Sequence, residues 1–334
     1  MSGEPETWVL TDGKAGMESQ CLGLAEALGV APAIKRIAPR FPWSLLPPRF
    51  WLSPLSAPGP EGDALAPPWP DLLIATGRQT VAPAAAIKRL RGDRVVAVQI
   101  QNPRIDPANF DVVIAPAHDR LAGANVVSTL GALHRVTPER LADAARAVAS
   151  RYALLPRPLV AVLVGGGNSQ FRMTGATADR LAALLARAAR EQGVGLAVTP
   201  SRRTGAENVA RMNEQLAGLP AEIWDGAGGN PYFAMLALAD AFVVTGDSVN
   251  MVSEACATGK PVHVFQLDGG SAKFDRFHDA LAARGITRPF SGAIESWRYA
   301  PPDDIARAVA AVRRCLDRLP GQSDARAAAP AQSD

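Results

Sequence analysis

The chain has 334 residues, 48% of them apolar, with 29 glycines and 28 prolines; this length favours two lobes with cores of their own, and this composition excludes disorder as the overall state. Lysine and arginine number 35 against 32 aspartates and glutamates, an excess too small and scattered for a polyanion-binding protein, so no nucleic-acid partner is expected. Cys21, Cys256 and Cys315 show no CxxC or Cys/His spacing, which argues against a disulfide framework or zinc site and fits a reducing, cytoplasmic compartment.

The opening MSGEPETWVL lacks a basic region followed by an apolar core, and no run approaches the ~18 apolar residues of a membrane span, so a soluble protein is expected. From Thr7 a short β-type run, TWVLT, leads into a glycine-containing loop and then a helix with Leu22, Leu24, Ala25 and Leu28 on one stripe, a β-loop-α unit. Asp12, Lys14 and Gln20 flank Gly13 and Gly16 at that helix start.

Ten prolines fall between Pro39 and Pro70, interleaved with Phe41, Trp43, Phe50, Trp51 and Trp69. Each proline removes a backbone donor, so neither a helix nor an inner strand fits there. The segment reads as an irregular loop folded over the N-terminal lobe, with an acceptor-side or membrane-facing surface as the functional alternative. Buried-strand runs follow at 71–75, 94–100, 111–115 and 125–129, alternating with helices such as 78–91, the pattern of a parallel sheet. The loops ATGRQT, QIQNPR and APAHD close these strands. His118 beside Asp119 reads as a loop histidine bonded for structure, with a base pair as the alternative.

A helix from about Thr137 to Arg151 leads to LLPRP at 154–158, the expected hinge. Domains are therefore expected at 1–155, 156–288 and 289–320, with a disordered tail over 321–334. The second half alternates strands at 159–164, 195–199, 221–224, 241–245 and 262–266 with helices near 176–191, 205–217, 231–239, 249–258 and 272–284. That is a doubly wound α/β unit, whose ligands belong at the carboxyl ends of its strands.

Four polar loops fall at such ends. Gly166, Gly167 and Asn168 lie in GGGNSQ, where glycines permit close backbone approach and N–H groups can bind phosphate; Gln170 breaks the dinucleotide fingerprint, so NAD is not expected. Ser201, Arg202 and Arg203 follow the next strand and offer charge-assisted bonds to a pyrophosphate, two solvated arginines being the alternative. Asn230 caps the flexible loop DGAGGNPY, a base or sugar contact. In TGDSVNMVSE a strand ends at Thr245, Gly246 turns, and Asp247 or Ser248 caps a helix whose first residues, through Asn250 and Met251, present amides to an anion. Glu254, one to two turns on, is placed to accept bonds from both ribose hydroxyls, with a surface carboxylate as the alternative. Gly13-Lys14-Ala15 and Gly259-Lys260-Pro261 lack the Ser or Thr of a Walker A loop, and 246–250 lacks the closing glycine of a nucleophile elbow, so P-loop and hydrolase chemistry are not expected. The four histidines have no ligand spacing, and no metal is expected.

In this order, TDGKAGMESQCLGLAEALG, PWPDLLIATGR, QIQNPR, FDVVIAPAHD, NVVSTLGALHRVTPERL, VGGGNSQF, TPSRRT and NPYFAMLALADAFVVTGDSVNMVSEACATGKPV resemble the "elongated mitochondria" fission family of plants and its bacterial relatives. The likeness runs from about Thr7 to Val264. It implies an α/β fold of the GT-B glycosyltransferase type: two Rossmann-like lobes facing across a cleft, a donor nucleotide held by the C-terminal lobe, and a terminal segment, here 303–319, crossing back. It implies a metal-independent, cofactor-free transferase using a nucleoside-diphosphate sugar, with UDP as the expected nucleotide and a sugar or lipid-linked molecule as acceptor. Glu254 takes the ribose role, Ser248 and Arg203 the diphosphate role. On the acceptor side, expected over 11–20 and 76–104, Asp12 is the candidate general base and Lys14 a stabiliser of developing charge. A nucleoside-diphosphate-sugar epimerase and a non-catalytic fission adaptor on the same scaffold are the other functions the resemblance admits. The expected location is the cytoplasm, with peripheral contact at the inner membrane.

Overall fold

A computed structural model describes residues 4–319; the expected tail from Gly321 lies outside the described residues. The chain divides into two compact units. Unit 1 holds the residues up to Thr129, Leu133–Arg135, and those from Asp303 onward, while unit 2 holds Leu130–Ala132 and Val136–Pro302.

Unit 1 contains β1 (Thr7–Thr11), α1 (Ala15–Leu28), β2 (Pro32–Arg36), β3 (Leu72–Thr76), α2 (Val81–Arg91), β4 (Val96–Ile100), β5 (Val112–Pro116) and β6 (Val126–Thr129). Its six strands pair in parallel in the order β2-β1-β3-β4-β5-β6, with Val9 opposite both Ile34 and Ile74. β1, β3, β4 and β5 are buried along their whole length, because a parallel sheet covered on both faces needs near-continuous apolar runs. Val9, Ile74, Val98 and Ile114 pack to one side with Leu24 of α1, and Leu10, Leu73, Ala97 and Val113 to the other with Ile87 of α2.

Unit 2 opens with α3 (Pro138–Val148) and continues through β7 (Leu159–Val164), β8 (Phe171–Arg172), α4 (Gly175–Gln192), β9 (Gly195–Pro200), α5 (Ala206–Leu216) and β10 (Ala221–Ile223). Then come α6 (Tyr232–Leu238), β11 (Ala241–Thr245), α7 (Val249–Cys256), β12 (Val262–Phe265), β13 (Asp268–Gly269), α8 (Ala272–Ala282) and β14 (Thr287–Pro289). Six strands form a parallel sheet in the order β10-β9-β7-β11-β12-β14, and β8 pairs antiparallel with β13 beside it. The last helix, α9 (Asp304–Leu316), returns to unit 1, where Ala308, Val312 and Leu316 join the core with Leu24.

The expected hinge at 154–158 is displaced. Leu141 and Val148 of α3 pack on the unit 2 core, so this helix belongs to unit 2 and the chain changes units within 130–136. Residues 289–302, expected in the returning segment, also remain in unit 2. The segment at the change of unit is tightly seated on both its sides. Ala132 N–H donates to Ser253 Oγ of α7 at 2.9 Å, and the His134 carbonyl oxygen lies 2.3 Å from where a side chain on Gly23 of α1 would begin.

Candidate functional site

In unit 2 the chain leaves β7 toward β9 and β10 on one side, then returns to β11 and continues to β12 and β14 on the other. β7 and β11 are therefore the neighbours between which the winding reverses, the position at which doubly wound sheets bind ligands. Three expected loops meet at this reversal: 165–168 after β7, 201–204 after β9, and 246–248 after β11.

Asp247 joins them. Its carboxylate is fully buried and accepts from the Thr245 hydroxyl (2.6 Å), from Gly166 N–H (3.1 Å) and from the Arg203 guanidinium (2.8 Å). A buried carboxylate with this many donors is compensated where it stands, so Asp247 organises the loops and Ser248 is the helix cap. Ser248 Oγ accepts from Met251 N–H at 3.3 Å, beginning α7. Gly166 (φ +156°) approaches the neighbouring loop so closely that a side chain there would begin 2.0 Å from Arg203 O. Gly167 N–H donates to that same oxygen (3.2 Å), and Ser201 Oγ and Thr204 Oγ1 both donate to Gly165 O (2.8 and 2.5 Å). Asn168 closes a turn by accepting from Gln170 and Phe171 N–H and donating to Asp247 O. Arg203 stays 40% exposed beyond its pairing with Asp247, and Arg202 is exposed. His278 of α8 donates from Nε2 to Gly246 O at 2.8 Å, and burial holds its pKa below the usual imidazole value.

Glu254 lies on the second turn of α7 and is no surface carboxylate: it is 8% exposed and accepts a 2.5 Å bond from the Tyr232 hydroxyl. Burial raises its pKa to about 7 against the opposing effect of that hydroxyl. Burial, together with the nearby carboxylate, also lifts Tyr232 well above the usual phenol value. Asn230 Oδ1 accepts from Tyr232 N–H (3.0 Å), so α6 begins at Tyr232, one residue beyond the expected Pro231. Asn230, Tyr232 and Glu254 thus form a second polar group beside the capped start of α7.

Tyr232, Thr245, Thr204 and His278 were absent from the sequence-level candidates. Thr245 and Thr204 each sat inside a quoted motif; what the sequence lacked was any sign that their hydroxyls turn back onto the neighbouring loop. Tyr232 follows Asn-Pro as any first-turn residue would, and its partner is 22 residues away.

Unit 1 reverses its winding between β1 and β3. Asp12 follows β1 there, its side chain 5% exposed and its carboxylate 3.6 Å from where a side chain on Gly77 would begin. It accepts from Lys14 N–H (3.3 Å) and forms an ion pair with the exposed Lys14 ammonium. His118 is buried on a short turn after β5. Among the described residues no three His, Cys, Asp or Glu gather as a metal-binding group, and no helix is long and apolar enough to cross a membrane.

Residues 15–316 match the family model described as mitochondrial fission ELM1. The mitochondrial fission protein ELM1 of Arabidopsis thaliana is 38% identical over 74% of this chain, which spans 64% of the plant protein's length. An uncharacterized protein of Rickettsia prowazekii is 26% identical over 74% of this chain and 80% of its own. Among solved structures, the UDP-GlcNAc 2-epimerase of Methanocaldococcus jannaschii is similar at TM-score 0.51 and 12% identity, over 96% of this chain and 97% of that one. The S. aureus MnaA-UDP co-structure is similar at 0.51 and 13%, over 94% and 90%. The glycotransferase of kitacinnamycin is similar at 0.50 and 14%, over 97% and 95%. With its two parallel six-stranded sheets, the chain has the α/β fold of the GT-B glycosyltransferases and epimerases.

Proposed function

The chain belongs to the mitochondrial fission ELM1 family, and from that premise we propose that it is a cytoplasmic glycosyltransferase whose unit 2 binds a nucleoside-diphosphate sugar, with UDP as nucleotide. The observation that carries this reading is the fusion of three phosphate-type loops by the buried Asp247 at the reversal of the sheet. Such a device fixes the backbones of three loops and one partly exposed arginine before any ligand arrives, which lowers the ordering cost of binding. Binding of UDP by the solved relative MnaA supports the choice of nucleotide.

In this reading the diphosphate lies against Gly166, Gly167, Asn168 and the start of α7, where Ser248, Asn250 and Met251 offer the positive end of the helix. Arg203 adds a guanidinium to the diphosphate, and Ser201 holds its loop. Arg202 supplies peripheral charge, Asn230 borders the base or sugar, and Glu254 accepts from the ribose hydroxyls once Tyr232 yields. Transfer joins an acceptor oxygen, of a sugar or lipid-linked alcohol, to the anomeric carbon. The bond to the diphosphate breaks with its electron pair, and Asp12 takes the hydroxyl proton while Lys14 steadies the charge. No metal or cofactor enters this reading.

A second reading is favoured by the name of the plant relative, a fission protein: a non-catalytic adaptor that keeps the scaffold. Thermal melting with UDP separates them. UDP at ~100 times its dissociation constant stabilises the fold by about 2.7 kcal/mol, and Arg203→Ala is expected to remove most of that shift. A wild-type protein whose melting no nucleotide moves at millimolar concentration would leave the adaptor. Epimerisation would appear as exchange of solvent deuterium into the sugar without an acceptor.

A further inference from the structure

The proline-rich segment of unit 1 carries exposed apolar side chains that the proposed transfer chemistry does not use. Phe41, Leu45, Phe50 and Leu52 are 77%, 72%, 54% and 80% exposed, all within residues 41–52. Large apolar groups concentrated this way on a protein surface mark a contact face.

They are not outside for want of a folded loop. Trp51 and Ala57 are buried against Ala82 of α2, with Trp43 and Leu46 packed alongside. The Trp43 indole donates to Leu52 O (2.9 Å), the Trp51 indole to Leu46 O (3.1 Å), and Arg78 to Leu45 O and Leu46 O (2.7 and 3.1 Å). Half the segment's apolar groups fix it to unit 1, and those fixtures hold the other half outward.

The charge is one-sided. Around the exposed groups, residues 39–60 include Arg40 and Arg49 and no aspartate or glutamate, the acidic Glu61 and Asp63 of the segment following beyond them. Arg40 lies 5.2 Å from the Trp43 ring and Arg49 4.7 Å from the Phe50 ring, so the cations stand beside the aromatic groups. Directional hydrogen bonding is scarce, because prolines lack N–H groups and the Leu45, Leu46 and Leu52 carbonyls are already taken. A protein partner would need such bonds to gain specificity, and a second copy of this patch would oppose arginine to arginine. A bilayer surface with anionic headgroups needs only apolar insertion and positive charge.

We propose that this loop seats the protein on an anionic phospholipid surface, Phe41, Leu45, Phe50 and Leu52 entering the interface while Arg40 and Arg49 pair with lipid phosphates. The attachment is peripheral and independent of any nucleotide.

The test is co-sedimentation of the full chain with vesicles of phosphatidylcholine alone or with about a third phosphatidylserine. The wild type is expected to pellet with the anionic vesicles. Phe41→Ser with Leu52→Ser should lower its partition at least about tenfold without moving the melting temperature, since both groups are exposed. Arg40→Gln with Arg49→Gln should erase the preference for anionic over neutral vesicles. Wild type left in the supernatant with both vesicles overturns the proposal, as does equal pelleting of the Phe41/Leu52 variant. A solution dimer that this variant converts to monomer would assign the patch to self-association instead.

Discussion

Glu254 shows how burial changes what a carboxylate can do. Its pKa of about 7 in the folded chain, against an ordinary 4.5, means that between those values the folded state holds a proton the unfolded state has lost. Stability therefore falls as pH rises through that window, by up to about 3 kcal/mol for so large a shift. Glu254→Gln keeps an acceptor for Tyr232 and removes the ionisation. Its denaturant midpoint is expected to exceed that of the wild type above pH ~7 and to converge with it near pH ~5; parallel curves would show that the carboxyl does not titrate there. Sequence placed Glu254 on the right helix turn but left its exposure open, because burial depends on Tyr232 and α6, which α7 meets only in the folded sheet.

At the scale of elements, what was legible followed burial. β3, β5, β7 and β11 announce themselves as apolar runs because both faces of each are covered. β2, sequence PAIKR, and β14, sequence TRP, are edge strands with exposed positions and no such run, so alternation and length gave no signal. The proline-bearing LLPRP looked like a linker, yet the apolar stripe of the preceding α3 decided which unit that helix joins. The loop motifs were readable one by one, but Asp247 as their common anchor was not, since its partners come from residues 166, 203 and 245. α1 offers a prediction whose sign separates local from tertiary effects. Glycine to alanine inside a helix ordinarily stabilises by about 1 kcal/mol. Gly23→Ala should instead destabilise by roughly 1–3 kcal/mol, because its methyl group would overlap the His134 carbonyl. A raised melting temperature would contradict that close approach.

At the scale of the whole molecule, the two units differ in how the chain completes them. Unit 2 is almost continuous from Leu130 to Pro302, whereas unit 1 needs α9, whose Ala308, Val312 and Leu316 fill its core beside Leu24. A fragment of residues 130–302 is expected to melt cooperatively by itself. A fragment of residues 4–135 should remain without a cooperative transition until 303–319 is supplied in trans, as calorimetry would show. During synthesis this reverses the usual order in which domains mature. The ribosome releases the first unit's strands early and its closing helix only after the second unit is out, so the unit made first is finished last. For that interval the part of this core that α9 covers, Leu24 of α1 and Val98 of β4 among it, is open to chaperones and to misassembly with other nascent chains.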